Sequence, residues 1–414
     1  QAWPPMPKRR ARREGGAARG AAQEEGDEAA DGAKRVRPDG AAGATRPESV
    51  TYKVERGLRH IEPYDFDFTT HVKQRWVGRP ILEVFAGEFV AYPEEYYRAS
   101  IEAGRVTVDG RKVSSGHVLQ ENERIVHRAV RCRENPVLDR GPIRVVAETE
   151  ELLVVSKPSS LPIHPCGSYR FNSLIALLKE QGTAPAGAQV HTTHRLDRLT
   201  SGLVLLGKTK AAAQRIGRWF AQNEIRKTYL ARVRGSFDTL VKLVVASSAG
   251  GAREGVPVGA GLAASGRVCV KGYIRCVDHK VGRHAFLEEP DADGDAKFAA
   301  TEFEFVGAAP GGESVVRCYP LSGRTHQIRV HLLHLGYPIA NDSCYGGELR
   351  DDPALPLIPH VTQHAGGVEL QEPAPAEGEG ATMHPSGIYL HASVYSLPNG
   401  DSFTAEAPPW AEGH

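Results

Sequence analysis

The sequence predicts an α+β fold built on a mixed, largely antiparallel sheet with flanking helices, and three observations carry that reading. Apolar runs with strand character outnumber helical stretches. They rarely follow the strand, helix, strand alternation that a doubly wound sheet requires. Residues 143–158, IRVVAETEELLVVSKP, place two apolar runs on either side of an acidic turn, as an antiparallel hairpin does. At 414 residues the chain exceeds what one core usually fills, so about two domains plus unstructured segments are expected.

Bulk charge does not identify a partner, because 51 Lys and Arg nearly cancel 50 Asp and Glu to leave a formal net charge of +1. Basic residues cluster instead, as KRRARR at 8–13 and KRVR at 34–37. No apolar run approaches the roughly 18 residues a membrane-spanning helix needs, so no membrane association is expected. The expectation is an intracellular monomer, its compartment left open. Six cysteines, Cys132, Cys166, Cys269, Cys276, Cys318 and Cys344, form no C-x-x-C pair, which argues against a zinc ribbon or a disulfide framework and for free thiols.

Composition divides the chain. Residues 1–50, rich in Ala, Gly, Arg and Glu, hold too little apolar surface to offset ordering entropy and read as a disordered tail. An extension at 51–77 carries Tyr64, Phe66, Phe68 and Trp76. Residues 78–132 follow as a small module: the helical segments LEVFAGEF and PEEYYRASIEAG, the second closed by Gly104, then VTVDGRKV turning at Asp109-Gly110. This arrangement resembles an S4-type RNA-binding domain, with Arg98, Arg105, Arg111 and Lys112 as its candidate RNA contacts; the plainer alternative is a small α/β cap. Residues 143–410 form the larger unit, with strands at GLVLL, TYLARVRG, TEFEFVG and SVVRCYP and helices at SLIALLKEQG, AAAQRIGRWFAQN and HQIRVHLLHLG. Segments 250–266 and 351–380, rich in Gly, Ala, Pro and Glu, read as insertions that loop out of its core.

Three blocks carry chemistry. In HRLDRLTSGLVLL at 194–206 a charge-dense segment gives way at Gly202 to an apolar strand, which sets Asp197 on a loop at the mouth of a sheet. Taken alone, an Asp flanked by Arg is more often a surface ion pair. In PLSGRTHQIRVH at 320–331 a strand turns through Ser-Gly into a helix, bringing Arg324 and first-turn N–H groups to an anion-favouring helix start. In RKTYLA at 226–231 alternation puts Lys227, Tyr229 and Ala231 on one face, although a strand tyrosine is commonly just core. No metal site is expected: His331 and His334 share a helix face without an acidic partner, and His360 and His364 lie in a Gly-rich loop. GLVLLGKT at 202–209 fits the G-x-x-x-x-G-K-T pattern, but Leu203 to Leu206 form strand where a phosphate cradle needs a turn of small residues.

These blocks, in this order, resemble the pseudouridine synthase family whose bacterial members include RluA. Lys157-Pro158, Gly336-Tyr337-Pro338-Ile339 and Leu390-His391-Ala392 extend the likeness over about residues 143–410. GLRHIEPYDFDF at 57–68 and HPCG at 164–167 resemble the eukaryotic branch, which includes tRNA anticodon-loop enzymes. The resemblance implies the pseudouridine synthase fold, no cofactor, and an RNA substrate, tRNA first with mRNA or rRNA open. It implies Asp197 as the catalytic carboxylate, attacking C1′ or taking the C2′ proton, with Arg324 as its pairing charge and Tyr229 packed on the uracil. Arg195 would fill the space left by an everted nucleotide, and Arg198, Lys227, His326 and Arg329 would contact phosphates. The competing reading is a non-catalytic RNA-binding protein or chaperone on the same fold.

Overall fold

Leu152 to Val155 are buried without alternation, and so are Gly202 to Gly207, so both segments need cover on two faces and belong inside a sheet. The computed structural model, which describes residues 49–89, 92–132, 134–166, 169–183, 190–252, 254–278, 282–350 and 387–412, places them side by side. The anticipated hairpin forms from Arg144–Glu148 and Leu152–Lys157, with Val145 opposite Val155. It ends a long sheet whose spatial order is Ala260–Leu262, Val268–Asp278, Lys297–Ala309, Glu313–Pro320, Arg226–Arg234, Leu390–Ser396, Ser201–Gly207, Leu152–Lys157 and Arg144–Glu148. Neighbours along this path run antiparallel except Ser201–Gly207 with Leu390–Ser396, which are parallel.

That parallel contact explains Gly202. It pairs with Ala392 at φ +109°, and a Cβ there would lie 2.2 Å from the Ala392 carbonyl oxygen. A glycine therefore lets the loop bearing Asp197 run directly into the sheet.

Two apolar cores meet along the sheet. One gathers Leu153, Val155, Leu174, Leu178, Leu203, Leu205 and Ile216; the other gathers Ala231, Val233, Phe237, Leu240, Val316 and Leu332. Tyr229 packs against both. Thr209 accepts a side-chain hydrogen bond from Ala212 N–H as N-cap of helix Lys210–Ala221, and Lys208 Nζ donates to Glu148 at 2.8 Å. The G-K-T pattern is thus a strand end and a helix cap.

The N-terminal module has a four-stranded sheet ordered Tyr64–His71, Arg124–Cys132, Val106–Val108 and Arg111–Lys112. Helices Ile81–Glu88 and Glu94–Glu102 cover it through Ile81, Val84, Phe85, Tyr96 and Ile101. Asp109 and Gly110 both take positive φ, 49° and 76°, as a two-residue hairpin turn matched to strand twist requires.

The expected boundary at 51–77 is redrawn. Tyr64–His71 is a strand of the module, whereas Leu58–Ile61 pairs with Val137–Leu138, and Leu58 packs into the core that holds Ala231. Glu134, 3% exposed, ties the two regions together: its carboxylate accepts the N–H groups of Arg170, Phe171 and Asn172 and the Tyr64 hydroxyl. The segment 250–266 also departs from expectation, since Ala260–Leu262 adds an edge strand to the sheet. Helix Phe237–Ser248 and strand Val268–Asp278 were not anticipated. The 351–380 insertion and the basic clusters of the tail lie outside the described residues. No helix among the described residues is long and apolar enough to cross a membrane.

Substituting Gly202→Ala is expected to cost about 3 kcal/mol or more, since overpacking and a strained backbone act together. Urea denaturation with an unchanged midpoint would show that the parallel contact can relax.

Candidate active site

The loop between His191–Thr192 and Ser201–Gly207 is fixed at several points before its carboxylate is considered. His194 stacks on Phe220 with centroids 4.1 Å apart, accepts Leu205 N–H at Nε2 and donates from Nδ1 to the Arg195 carbonyl. Burial lowers its pKa to about 4, so the ring is neutral and serves the loop's shape. Lys157, 1% exposed, donates from Nζ to the carbonyls of Pro158, Leu161 and Arg198 at 3.0, 2.8 and 3.1 Å. Thr200 N–H closes a turn onto the Asp197 carbonyl at 3.1 Å. Neither His194 nor Lys157 was assigned a part in the site from sequence. Lys157 carried a readable signal, a charged residue at the end of the apolar run Leu152–Val155, where a partner is obligatory, whereas His194, within HTTHRLD, carried none.

So held, Asp197 presents its carboxylate to a cavity of about 360 Å³ that Tyr229, Lys227, Arg324 and His326 also line. Its Oδ2 lies 3.8 Å from Arg329 Nη1 and 3.8 Å from His326 Nε2. Arg329 is itself locked: Nε and Nη2 form a two-pronged pair with Asp342 at 2.7 and 2.8 Å, and the guanidinium lies 4.7 Å over the Tyr345 ring. Burial opposes the Arg329 charge, but Asp342 and Asp197 more than offset it and hold its pKa above the usual arginine value. A cation thus sits beside the carboxylate at fixed orientation.

Arg324 does not take that place. Its Nε donates to the Phe298 carbonyl at 2.9 Å, leaving the exposed side chain at the cavity rim. The reason is local. Gln327 accepts from Ser322 Oγ and Arg324 N–H and donates to the Ala300 carbonyl and Thr301 Oγ1, which clamps the turn against the sheet. His326 then takes the left-handed conformation, φ 56°, and helix Gln327–His334 starts inward, with His326 and Arg329 three residues apart on one face. A readable signal existed: Arg329 stands among Ile328, Val330 and Leu332, and a charge within an apolar helical stretch requires a buried partner.

The remaining candidates divide by location. Tyr229 faces the cavity and shares a 2.9 Å hydrogen bond between hydroxyls with Tyr395; burial pushes its pKa up to about 12, so the phenol stays protonated. Lys227 is turned inward, donating to the Ser322 carbonyl at 3.1 Å, and burial lowers its pKa to about 8. Arg195 is exposed on the cavity wall. Arg198 lies half-buried 5.4 Å from the Tyr169 ring centroid. In the N-terminal module, Arg98 pairs with Glu94, Arg105 bonds Ser100 Oγ, and Arg111 and Lys112 are exposed; none of them lines the Asp197 cavity. His331 bonds Thr301 and His334 meets the Val258 carbonyl. No group of three metal-ligating side chains occurs among the described residues.

Removing the charge with Arg329→Met leaves buried Asp342 unpaired and is expected to cost about 3–5 kcal/mol, whereas Arg324→Met should stay within about 0.5 kcal/mol. Equal losses in thermal denaturation would contradict this division.

The sequence matches the family described as RNA pseudouridylate synthase over residues 151–334. It is 38% identical to human "Pseudouridylate synthase RPUSD2" over 72% of this chain and 48% of that protein. It is 37% identical to rice "RNA pseudouridine synthase 7" over 74% of this chain and 70% of that protein. It is 35% identical to "tRNA pseudouridine(32) synthase, mitochondrial" of Saccharomyces cerevisiae over 71% of this chain and 56% of that protein. The chain thus spans about half the length of the human relative and more than two thirds of the rice one. With 37% identity to the rice protein over 74% of this chain and 70% of that protein, the chain belongs to the RNA pseudouridylate synthase family.

Proposed function

We propose that this protein isomerises uridine to pseudouridine in RNA, with tRNA as the substrate class. The observation that carries the proposal is the carboxylate of Asp197, oriented by Arg329 and facing a cavity beside Tyr229. The reaction breaks the N1–C1′ bond, turns the uracil and joins C5 to C1′; the C5 proton leaves and N1 gains one, so composition does not change and no cofactor is needed. Asp197 acts either on C1′ or on the C2′ proton, and both routes need an ionised carboxylate, which Arg329 faces with Nη1 at 3.8 Å. Arg329 therefore replaces Arg324 in the proposed catalytic set. Neutral Tyr229 packs against the uracil and holds the ring, since a phenol that keeps its own proton cannot serve as the base for the C5 proton.

A paired uridine must leave its stack to reach this cavity, and we assign Arg195, exposed on the cavity wall, to the vacated space. Arg111 and Lys112 are exposed on the N-terminal module and offer phosphate contacts that position the RNA. Lys227 and Arg329, both turned inward, are withdrawn from the phosphate-contacting set. Support for tRNA comes from the yeast relatives, whose names specify tRNA pseudouridine(32) and tRNA pseudouridine(31) synthases.

The test is tritium release from C5-labelled uridine in bulk tRNA. Wild type is expected to release the label, and Asp197→Asn to lower the rate by at least about 10³-fold while still binding tRNA. If wild type binds RNA yet releases no label from tRNA, mRNA or rRNA, the enzyme reading fails and a non-catalytic RNA-binding protein replaces it.

A further inference from the structure

His326 is the second group beside the Asp197 carboxylate, and the proposed reaction assigns it nothing. Its Nδ1 lies 2.8 Å from the Tyr345 hydroxyl, and that oxygen also accepts the backbone N–H of His284 at 2.9 Å. Tyr345 is 1% exposed. A phenol has one proton to give, and a buried hydroxyl proton without an acceptor is costly. With the His284 amide donating to its oxygen, Tyr345 finds its acceptor in His326 Nδ1. The imidazole proton then resides on Nε2, the nitrogen 3.8 Å from Asp197 Oδ2.

We infer that His326 is a positioning residue for Asp197, held by Tyr345 as the Nε2–H tautomer so that an uncharged N–H faces the carboxylate. The inference rests on the uridine-isomerising reading of the site and deepens it. Burial lowers the His326 pKa to about 4, against the opposing pull of Asp197, so the ring is neutral at ordinary pH. Neutrality separates it from Arg329. The guanidinium supplies charge, whereas the imidazole supplies direction, and one short movement of the carboxylate completes its hydrogen bond when substrate closes the site. The same geometry argues against a phosphate contact, because the imidazole is largely buried and both ring nitrogens face other groups. Its backbone, at φ 56°, occupies a region that side-chain-bearing residues rarely adopt, and this aims the ring into the cavity.

Two substitutions separate the tautomer from the backbone. Glutamine can set an amide NH₂ where Nε2 was. Asparagine tolerates the left-handed backbone better but reaches only the Nδ1 position. His326→Gln is expected to keep kcat within about 10-fold of wild type, and His326→Asn to lose about 10²-fold or more, with KM for tRNA near wild type in both. Tyr345→Phe keeps the ring under Arg329, frees the tautomer, and is expected to lower kcat by about 10-fold or more at unchanged KM. The inference is overturned if Asn performs as well as Gln, if Tyr345→Phe matches wild type, or if the losses fall on KM and grow with salt, as losing a phosphate contact would. Silence of the wild type in the same tritium assay would instead sink the enzyme reading itself.

Discussion

The buried pair between Arg329 and Asp342 is the interaction on which the rest of the site depends. A guanidinium at 3% exposure is stable only with a partner, and Asp342, buried beside it, meets the planar fork with both oxygens. Because that pair already satisfies two of its nitrogens, Arg329 presents Nη1 to Asp197 without swinging freely. The carboxylate is therefore held by a cation that is itself held. Such layering is how a site keeps reactive geometry before substrate arrives.

The same logic recurs around the loop. Lys157 binds three carbonyls, one of them from Arg198, so the residue after Asp197 is tied to the turn that follows strand Leu152–Lys157. His194 anchors the other flank on Phe220 and Leu205. Gly202 admits the close parallel contact with Ala392, and Tyr229 rests where the two apolar cores meet. The cavity thus lies where the two halves of the sheet join, and its walls come from segments more than a hundred residues apart in sequence. Packing supplies its rigidity, since these elements cannot shift separately without opening a core.

Much of this was legible in the chain. The acidic hairpin, the Asp109-Gly110 turn, strand Ser201–Gly207 and the helix start after Ser-Gly each follow from local periodicity or turn chemistry. Misreadings arose where an element depends on distant neighbours. Ala260–Leu262 has no strand signature of its own and becomes one by pairing with Val268–Asp278. The extension at 51–77 divides between two sheets because Leu58 and Tyr64 find different partners. The resemblance pairs Asp197 with Arg324, whereas the left-handed turn at His326 brings Arg329 beside the carboxylate and leaves Arg324 at the rim of the same cavity.

What the sequence determined by itself is the class of fold, the place of Asp197 before an apolar strand, and the family to which that block points. Each depends on residues close together in the chain, where periodicity and turn preference act directly. Tertiary structure alone decided the carboxylate's partners, the neutral state of His194 and His326, and the tie from Lys157 to the loop. Those properties come from burial and from hydrogen-bond direction, and neither exists until separate segments have packed together.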